Sequence, residues 1–344
     1  MPIFDSNSLQ SAVIHRIGNI TTQDGYQLSD SPISLDEQLR DMLLQYFISP
    51  FKAEEYFHLS PDDNIVYDCV SQIFDDPNDI VTQSQTIAKH LYEASTHPNI
   101  KGGDFFVVYF SECQVNGQIT NCVGLFKSEN KEQFLKVLHE DSNARFRLEP
   151  DKGINVNKLD KGALIFNLEA DKGFVVSVVD ATNRGSDAQY WRDNFLNLRQ
   201  REDEYYSTHT ELSAYKKFVT DELPQQFEGV TKADQADLLN RSVKYFKQNE
   251  SFDVQSFANE VIEQPELIES FKQFRNNYQQ DNDVALQDSF AISEEAVKKQ
   301  QRSLKSVIKL DKNFHIYIHG DRQLIEQGED ARGKFYKVYY REES

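Results

Sequence analysis

The sequence is poor in cysteine and contains no long apolar stretch. Its 3 cysteines, Cys69, Cys113 and Cys122, form no Cys-x-x-Cys pair. An odd number without that spacing favours reduced thiols in a cytosolic protein. No segment approaches the roughly 18 consecutive apolar residues that a membrane-spanning helix needs. Residues 1–5 are not a basic region followed by an apolar stretch, so we expect no secretory signal.

Positive charge is also scarce, and it is unevenly placed. The chain has 37 Lys and Arg against 56 Asp and Glu, for a net charge of −19. An even spread of this charge would argue against nucleic acid, because cations must neutralise the phosphates. Residues 1–295 hold 26 Lys and Arg against 49 Asp and Glu, whereas residues 296–344 hold 11 against 7. The basic end favours an anionic partner, and a solvated face is the alternative.

Common catalytic signatures are missing as well. The sequence has no His-Glu-x-x-His, Gly-x-Ser-x-Gly or Gly-x-Gly-x-x-Gly pattern. Gly328–Lys334 fits the spacing of a phosphate loop, but Phe335 stands where a magnesium-binding Ser or Thr belongs. This segment is acidic and lies close to the end of the sequence, which leaves no room for the helix that such a loop requires. We therefore expect a hairpin turn there, and no nucleotide or other cofactor.

Two further patterns could support metal chemistry. His315 and His319 share one face of a predicted strand, although surface histidines are the simpler interpretation. Asp104, Glu129 and Lys131 resemble the acidic-plus-lysine arrangement of metal-dependent nucleases, in which carboxylates hold Mg²⁺ beside a lysine. This second pattern is short, and it keeps a metal-dependent nuclease open as an alternative. We expect no metal at the histidines.

Helix-type spacing covers two stretches of the chain. Of its 344 residues, 39% are hydrophobic, with 24 Phe and 16 Tyr, which is enough for a core and for two domains. Capping patterns and apolar residues at helical spacing predict helices across residues 34–97 and again across 188–302. Thr231, Pro265 and Ser293 mark the starts of three of these helices.

Strand-type patterns lie between the helical stretches and at the C-terminal end. Residues 11–18 and 105–110 read as strands, and Asn116-Gly117 is a strong hairpin signal. Residues 131–140 are predicted as a short helix with Phe134, Leu135 and Leu138 facing inward. Asp-Lys-Gly occurs at 151–153, 160–162 and 171–173, before strand-like runs at 154–159, 163–168 and 174–179. Because Asp and Gly favour tight turns, we predict an antiparallel meander.

These patterns predict an α+β fold: an antiparallel sheet with flanking helices, followed by a helical region and a C-terminal β-hairpin. The expected domains are residues 1–190, which contain the meander, and residues 191–344, which are mainly helical. The boundary is soft and lies within 185–210.

The basic residues near the C-terminal end are the candidate nucleic-acid surface. Phe335, Lys337, Tyr339 and Arg341 alternate on one face of the last predicted strand, and rings interleaved with cations can stack on bases and pair with phosphates. The alternative is that basic stems cover aromatic rings at a solvated face. The candidate DNA-binding residues are Lys298, Lys299, Arg302, Lys305, Lys309, Lys312, Lys337 and Arg341. A second candidate group is Lys127, Lys131, Lys158 and Lys161.

Four segments of the chain together resemble the bacterial nucleoid-associated protein family of the NdpA type. They are Gly102–Phe110, Gly124–Lys131, Gly153–Gly162, and the ending from Gly320-Asp321-Arg322 through Arg341. The resemblance runs over most of the chain. It implies a cytoplasmic protein that is associated with the bacterial nucleoid and binds DNA, with no catalytic residues to carry over.

The acidity of this chain departs from what that family leads us to expect. It favours weak binding through one basic surface, or recruitment by a protein partner, over tight coating of DNA. A protein-interaction module whose acidic helices bind a basic partner is another alternative. We expect no membrane association, and a homodimer stays open.

Overall fold

The computed structural model divides the chain into two compact units, Met1–Arg201 and Glu202–Ser344. It describes residues 2–5, 7–52, 55–140, 145–181, 190–304, 307–310, 313–317, 324–340 and 342. Within this part of the chain, no helix is long and apolar enough to cross a membrane.

The first unit is built on an eight-stranded antiparallel sheet. Its strands follow the spatial order β10-β3-β9-β8-β5-β4-β1-β2. Their bounds are β1 Leu9–Ile17, β2 Tyr26–Gln27, β3 Phe57–Leu59, β4 Gly103–Val115, β5 Gln118–Ser128, β8 Lys161–Phe166, β9 Val175–Asp180 and β10 Leu198–Gln200. The remaining strands of this unit, β6 Glu132–Glu140 and β7 Arg145–Gly153, pair with each other as a separate hairpin.

Helices cover both faces of this sheet. Helix α1 (Glu37–Ile48) packs on one face, and α2 (Ile65–Asp75) and α3 (Ile80–Ala94) pack on the other. In β4, Phe105 and Val107 point into the core beside α2 and α3, whereas Phe106 and Val108 point into the core beside α1. A strand buried on both faces is apolar at every position, which explains the continuous run in its sequence.

The hairpin signal at Asn116-Gly117 is confirmed. These two residues connect β4 to β5 with φ of 49° and 76°. Positive φ at both positions is the type I′ geometry that matches the twist of paired strands.

The helix predicted over residues 131–140 is wrong, because these residues form β6. The register pairs Val137 with Leu148 and Leu135 with Pro150. The apolar spacing of Phe134, Leu135 and Leu138 fits one helix face, but it leaves Val137 unexplained. The pairing with β7 determines the conformation instead.

Only part of the predicted Asp-Lys-Gly meander forms. Strands β8 and β9 pair as expected, and Gly173 lies in the turn between them with φ of 108°. Residues 151–153, however, lie inside β7, and residues 154–159 form no strand. Lys161 is the first residue of β8, so it is not a turn residue.

The second unit is mainly helical. Its helices are α4 Glu204–Lys217, α5 Leu223–Gln226, α6 Lys232–Gln248, α7 Val254–Phe257, α8 Pro265–Asn282 and α9 Glu294–Gln301. Thr231 and Asp234 form a capping box at α6, Pro265 opens α8, and the Ser293 hydroxyl caps α9, as predicted. Aromatic rings from several of these helices, among them Tyr215, Phe257 and Phe271, meet in one core.

The described part of this unit also contains three two-stranded antiparallel sheets, of which the last two are hairpins. They are β11 Ser251–Asp253 with β12 Ser289–Ala291, β13 Val307–Leu310 with β14 Phe314–Tyr317, and β15 Ile325–Asp330 with β16 Gly333–Val338. Ile308 of β13 and Ile325 of β15 pack with Ala233 and Ala236 of α6. The α+β class is therefore confirmed, with two hairpins at the C-terminal end where the sequence predicted one.

The boundary between the two units lies between Arg201 and Glu202 in the chain, whereas the predicted boundary lies between residues 190 and 191. Residues 190–200 belong to the first unit because Trp191 and Phe195 are buried in its core, beside α2 and α3.

Candidate nucleic-acid interface

Helix α9 carries the first part of the predicted basic surface. Ala296 and Val297 are buried against the second unit, which turns Lys298 and Lys299 towards solvent. The helix ends at Gln301, and Arg302 follows it as an exposed cap residue. Cations in the last turn also interact favourably with the negative end of the helix dipole. The local fold therefore accounts for these cations even without a ligand.

Contacts within the unit are described for two of these cations. The Lys299 ammonium lies 5.4 Å from the centre of the Tyr205 ring. Lys298 lies 3.6 Å from the Glu294 carboxylate, one helical turn earlier. An exposed pair of this type contributes only about 0.3–0.5 kcal/mol. The Lys298 pair can therefore be exchanged for a phosphate at little cost in stability.

The structure describes half of the predicted set. Lys305, Lys312 and Arg341 lie outside the described residues, as does the side chain of Lys309, although its backbone belongs to β13. Lys298, Lys299, Arg302 and Lys337 are the members whose side chains are described.

Lys337 lies on an aromatic face of β16. Its ammonium is 5.9 Å from the centre of the Phe335 ring and 6.0 Å from that of Tyr339. All three side chains are exposed, so the predicted alternation is present for its described members. The cross-strand Glu326 carboxylate lies 3.4 Å from the ammonium, and this interaction raises the pKa of Lys337.

The opposite face of this hairpin attaches it to the unit. Tyr336 and Ile325 pack in the apolar cluster that contains Ala233 and Ala236. The hairpin is therefore attached by one face and presents Phe335, Lys337 and Tyr339 on the other. Since α9 and α6 also pack together, the exposed cations of α9 and Lys337 of β16 both lie on elements anchored next to α6.

The segment that resembles a phosphate loop forms the turn of this hairpin. Glu329 pairs with Lys334 and Asp330 with Gly333, so Gly328–Lys334 belongs to two strands and their connection. Gly333 has a φ of 119°, a conformation that favours glycine. This geometry explains the glycine and the lysine without a nucleotide.

Only one member of the histidine pattern lies in the described part of the chain. His315 lies in β14, and His319 is outside the described residues. Among the described residues, no group of three or more His, Cys, Asp and Glu could hold a metal ion.

The nuclease-like residues have different interaction partners. The Lys131 ammonium lies 2.8 Å from the Asp104 carboxylate. The buried Glu129 carboxylate instead accepts hydrogen bonds from Lys127 and from the Tyr190 hydroxyl, at 3.0 and 3.1 Å. Protein side chains therefore already engage both carboxylates, Asp104 through Lys131 and Glu129 through Lys127 and Tyr190.

The second candidate group contains two lysines that cannot reach DNA. Lys127 and Lys161 are cross-strand neighbours on β5 and β8, and both are completely buried. Lys161 donates to both carboxylate oxygens of Asp180 at 2.8 Å. Burial lowers the pKa of Lys127, against the opposing effect of Glu129, and burial raises that of Tyr190. As DNA contacts, these two lysines were predicted wrongly.

The buried network forms one wall of a cleft. Lys127 donates to the Lys101 carbonyl at 2.7 Å, and Asp160 accepts from the backbone of Glu129 and Asn130. The cleft has a volume of about 700 Å³, and Lys101, Glu129, Asn130 and Asp160 line it. The sequence offered one signal for this network, because Lys127 follows the apolar run of β5 and Lys161 precedes that of β8. The pairing of Lys161 with Asp180 is visible only in the structure.

The fold and the exposed cations define an α+β protein with a candidate nucleic-acid surface in its second unit. The family model described as nucleoid-associated protein YejK matches residues 13–334. The chain belongs to this family, since the match covers nearly its whole length and both units. This confirms the resemblance seen in the sequence. A comparison with curated proteins finds no match.

Proposed function

We propose that this protein binds DNA at the bacterial nucleoid, in the cytoplasm, through weak contacts that are largely independent of base sequence, and that it catalyses no reaction. The observation that carries the proposal is the exposure of Lys298, Lys299 and Arg302 on one segment and of Lys337 on another, in a chain of net charge −19. The rest of the surface is predominantly acidic and repels a polyanion, so electrostatics restricts where DNA can approach.

The chemistry of the two segments supports contacts to the backbone of DNA. Lys298, Lys299 and Arg302 offer cations without a fixed array of base-reading groups, and phosphate contacts of this kind carry no sequence information. Lys337 adds a cation beside the Phe335 and Tyr339 rings, which could also stack on unpaired bases. Membership in a nucleoid-associated family supports the same partner.

The expected strength is modest. Each phosphate that a cation neutralises contributes about 0.9 to the salt dependence on duplex DNA, so four engaged cations give a slope of about −3.6. Non-specific binding of this type has dissociation constants of about 10⁻⁴ to 10⁻⁶ M at physiological salt.

A titration of labelled duplex DNA by fluorescence anisotropy tests the proposal. It should be run between about 50 and about 200 mM salt, with two unrelated duplex sequences, and with and without Mg²⁺. We expect affinity to fall with salt equally for both sequences, and the DNA to remain intact on a denaturing gel.

Two results would contradict the proposal. Cleavage that depends on Mg²⁺ would favour the nuclease alternative. Absence of binding at the lowest salt would instead favour recruitment by a protein partner, for which the acidic helices are then the candidate surface.

A further inference from the structure

The hairpin formed by β6 and β7 exposes an unusually apolar face. In antiparallel strands, residues directly opposite each other share a face. Val137 with Leu148, Leu135 with Pro150, and His139 with Phe146 form three successive opposite pairs on one side of this hairpin. Phe146 is 72% exposed, Leu135 65%, Val137 64% and Leu148 61%. We refer to residues 132–153 as the arm and to these six side chains as its apolar face.

The other face of the arm is mostly charged, although Phe134 and Leu138 also lie on it. Lys136 pairs with Asp151, and Arg147 pairs with Glu149. Alternation between an apolar and a charged face is typical of strands that are covered on one side. A two-stranded hairpin with nothing packed on it is also marginally stable in water. In the described part of the chain, β6 and β7 pair only with each other, and the apolar face remains exposed.

We propose that the apolar face of the arm packs against the same face of a second copy of this chain. Contiguous exposed apolar surface marks interaction sites. Contact between two identical faces under two-fold symmetry needs a self-complementary surface. A flat face of aliphatic and aromatic side chains fulfils this condition, and two such faces stack as sheets do, about 10 Å apart.

The charge of the apolar face favours a second copy of this chain over a basic protein or DNA as the binding partner. The face carries no carboxylate with which to bind a basic partner. DNA would require several cations, whereas this side of the arm offers only Lys152, which lies opposite Gln133 at the edge of the apolar face. The arm holds 4 Lys and Arg against 5 Asp and Glu, whereas the whole chain holds 37 against 56. Two acidic copies repel each other over most of their surface, so a nearly neutral arm is where they can meet.

The size of the apolar face limits the expected affinity of the dimer. Stable interfaces bury about 800 Å² on each partner, and six side chains on a hairpin provide less. We therefore expect a reversible dimer with a dissociation constant of roughly micromolar or weaker, rather than an obligate one.

Sedimentation velocity of the full chain over a range of concentrations tests this proposal. No DNA is present, so the outcome is independent of the proposed function. The arm variant is Val137→Glu with Leu148→Glu, which puts two carboxylates at the centre of the face. The matched control is Ile3→Glu with Ile119→Glu, because these two side chains are also exposed, apolar and in the first unit but outside the arm.

We expect the mass of the wild type and of the control to rise with concentration towards twice that of one chain, and the arm variant to stay monomeric. A single Leu148→Ser variant, which adds no charge, should shift the dimerisation midpoint to higher concentration and provides a second test if the double variant unfolds. A wild type that is monomeric at every concentration would overturn the proposal and leave the face to a different partner. An arm variant that dimerises like the wild type would overturn it as well.

Discussion

The ammonium group of Lys337 lies 5.9 Å from the centre of the Phe335 ring, and both side chains point to solvent from the same face of β16. An exposed cation–π contact contributes about 0.5–1 kcal/mol, which is enough to bias where the ammonium resides. The contact keeps a cation next to an accessible ring, so a base that stacks on the ring would bring its phosphate close to the cation. The same arrangement extends to Tyr339 on the other side of Lys337.

The aromatic face should matter more for single-stranded than for duplex DNA. Only unpaired bases can stack on Phe335 and Tyr339, and each stacked base contributes about 1–3 kcal/mol. Replacing both residues by alanine should therefore weaken the binding of a single-stranded oligonucleotide about tenfold or more, and duplex binding much less. Fluorescence anisotropy with both substrates measures this difference.

The neighbouring Tyr340 provides the matched control, since it is exposed but does not contact Lys337 through any described interaction. Tyr340→Ala should leave both affinities near those of the wild type. An equal loss from Tyr340→Ala, or no loss from the double alanine variant, would exclude a stacking role for this face.

The buried and exposed lysines of the first unit should differ in their effect on stability. Lys161→Ala removes the buried cation that pairs with Asp180, and breaking a buried pair in this way costs about 3–5 kcal/mol. Lys158 is 72% exposed in its pair with Glu132, so Lys158→Ala should cost about 0–1 kcal/mol. The fluorescence of Trp191, the single tryptophan, reports on unfolding of this unit. Equal and small losses would show that the buried pair is not structural.

The second unit should lose stability as pH rises through the acid and neutral range. Complete burial raises the pKa of Glu211 to about 7, although Arg275 opposes the shift. The ordinary pKa of a glutamate is 4.5. Above this pH the unfolded chain has released the Glu211 carboxyl proton, whereas the folded protein retains it. The stabilisation is therefore full below about 4.5 and is lost as pH rises to about 7, at up to about 1.4 kcal/mol per pH unit.

Comparison with Glu211→Gln isolates this contribution, because the amide fills the same site without titrating. We expect the difference in unfolding free energy between wild type and variant to change across this pH window and to be constant above it. A difference that stays the same at every pH would show that Glu211 does not retain its proton.

The sequence was most informative where local chemistry determines the structure. Asn116-Gly117 requires positive φ, and Thr231, Pro265 and Ser293 supply helix starts that need no distant partner. The helix predicted for residues 131–140 was wrong because their apolar spacing fits a helix face, whereas pairing with β7 makes them a strand. Single-chain periodicity cannot report a partner strand that lies further along the sequence.

In the candidate site, too, some features could be predicted from local sequence and others could not. The exposure of Lys298 and Lys299 follows from Ala296 and Val297 on the buried side of α9, which periodicity can show. The burial of Lys127 and Lys161 cannot be predicted in this way. It depends on contacts with Asp180, at the end of β9, and with Tyr190, which lies further along the chain. A count of lysines along the sequence therefore cannot separate solvent-exposed lysines from lysines that form buried ion pairs.

The salt dependence of DNA binding tests the central claim most directly. Log Kd should be measured against log salt for the wild type and for Lys298→Gln, Lys299→Gln and Arg302→Gln combined. The control combines Lys244→Gln, Lys247→Gln and Lys272→Gln, three exposed lysines of the same unit outside the basic segments. Substitutions at exposed positions like these change stability by within about 0.5 kcal/mol each, so both variants should fold.

The account predicts that the α9 variant binds duplex DNA more weakly and that its salt slope is smaller by about 2.7, or about 0.9 for each lost cation. The control should keep the slope of the wild type, and charge reversal of the same α9 residues to Glu should abolish binding. An α9 variant with unchanged affinity and an unchanged slope would contradict the claim that this surface binds DNA.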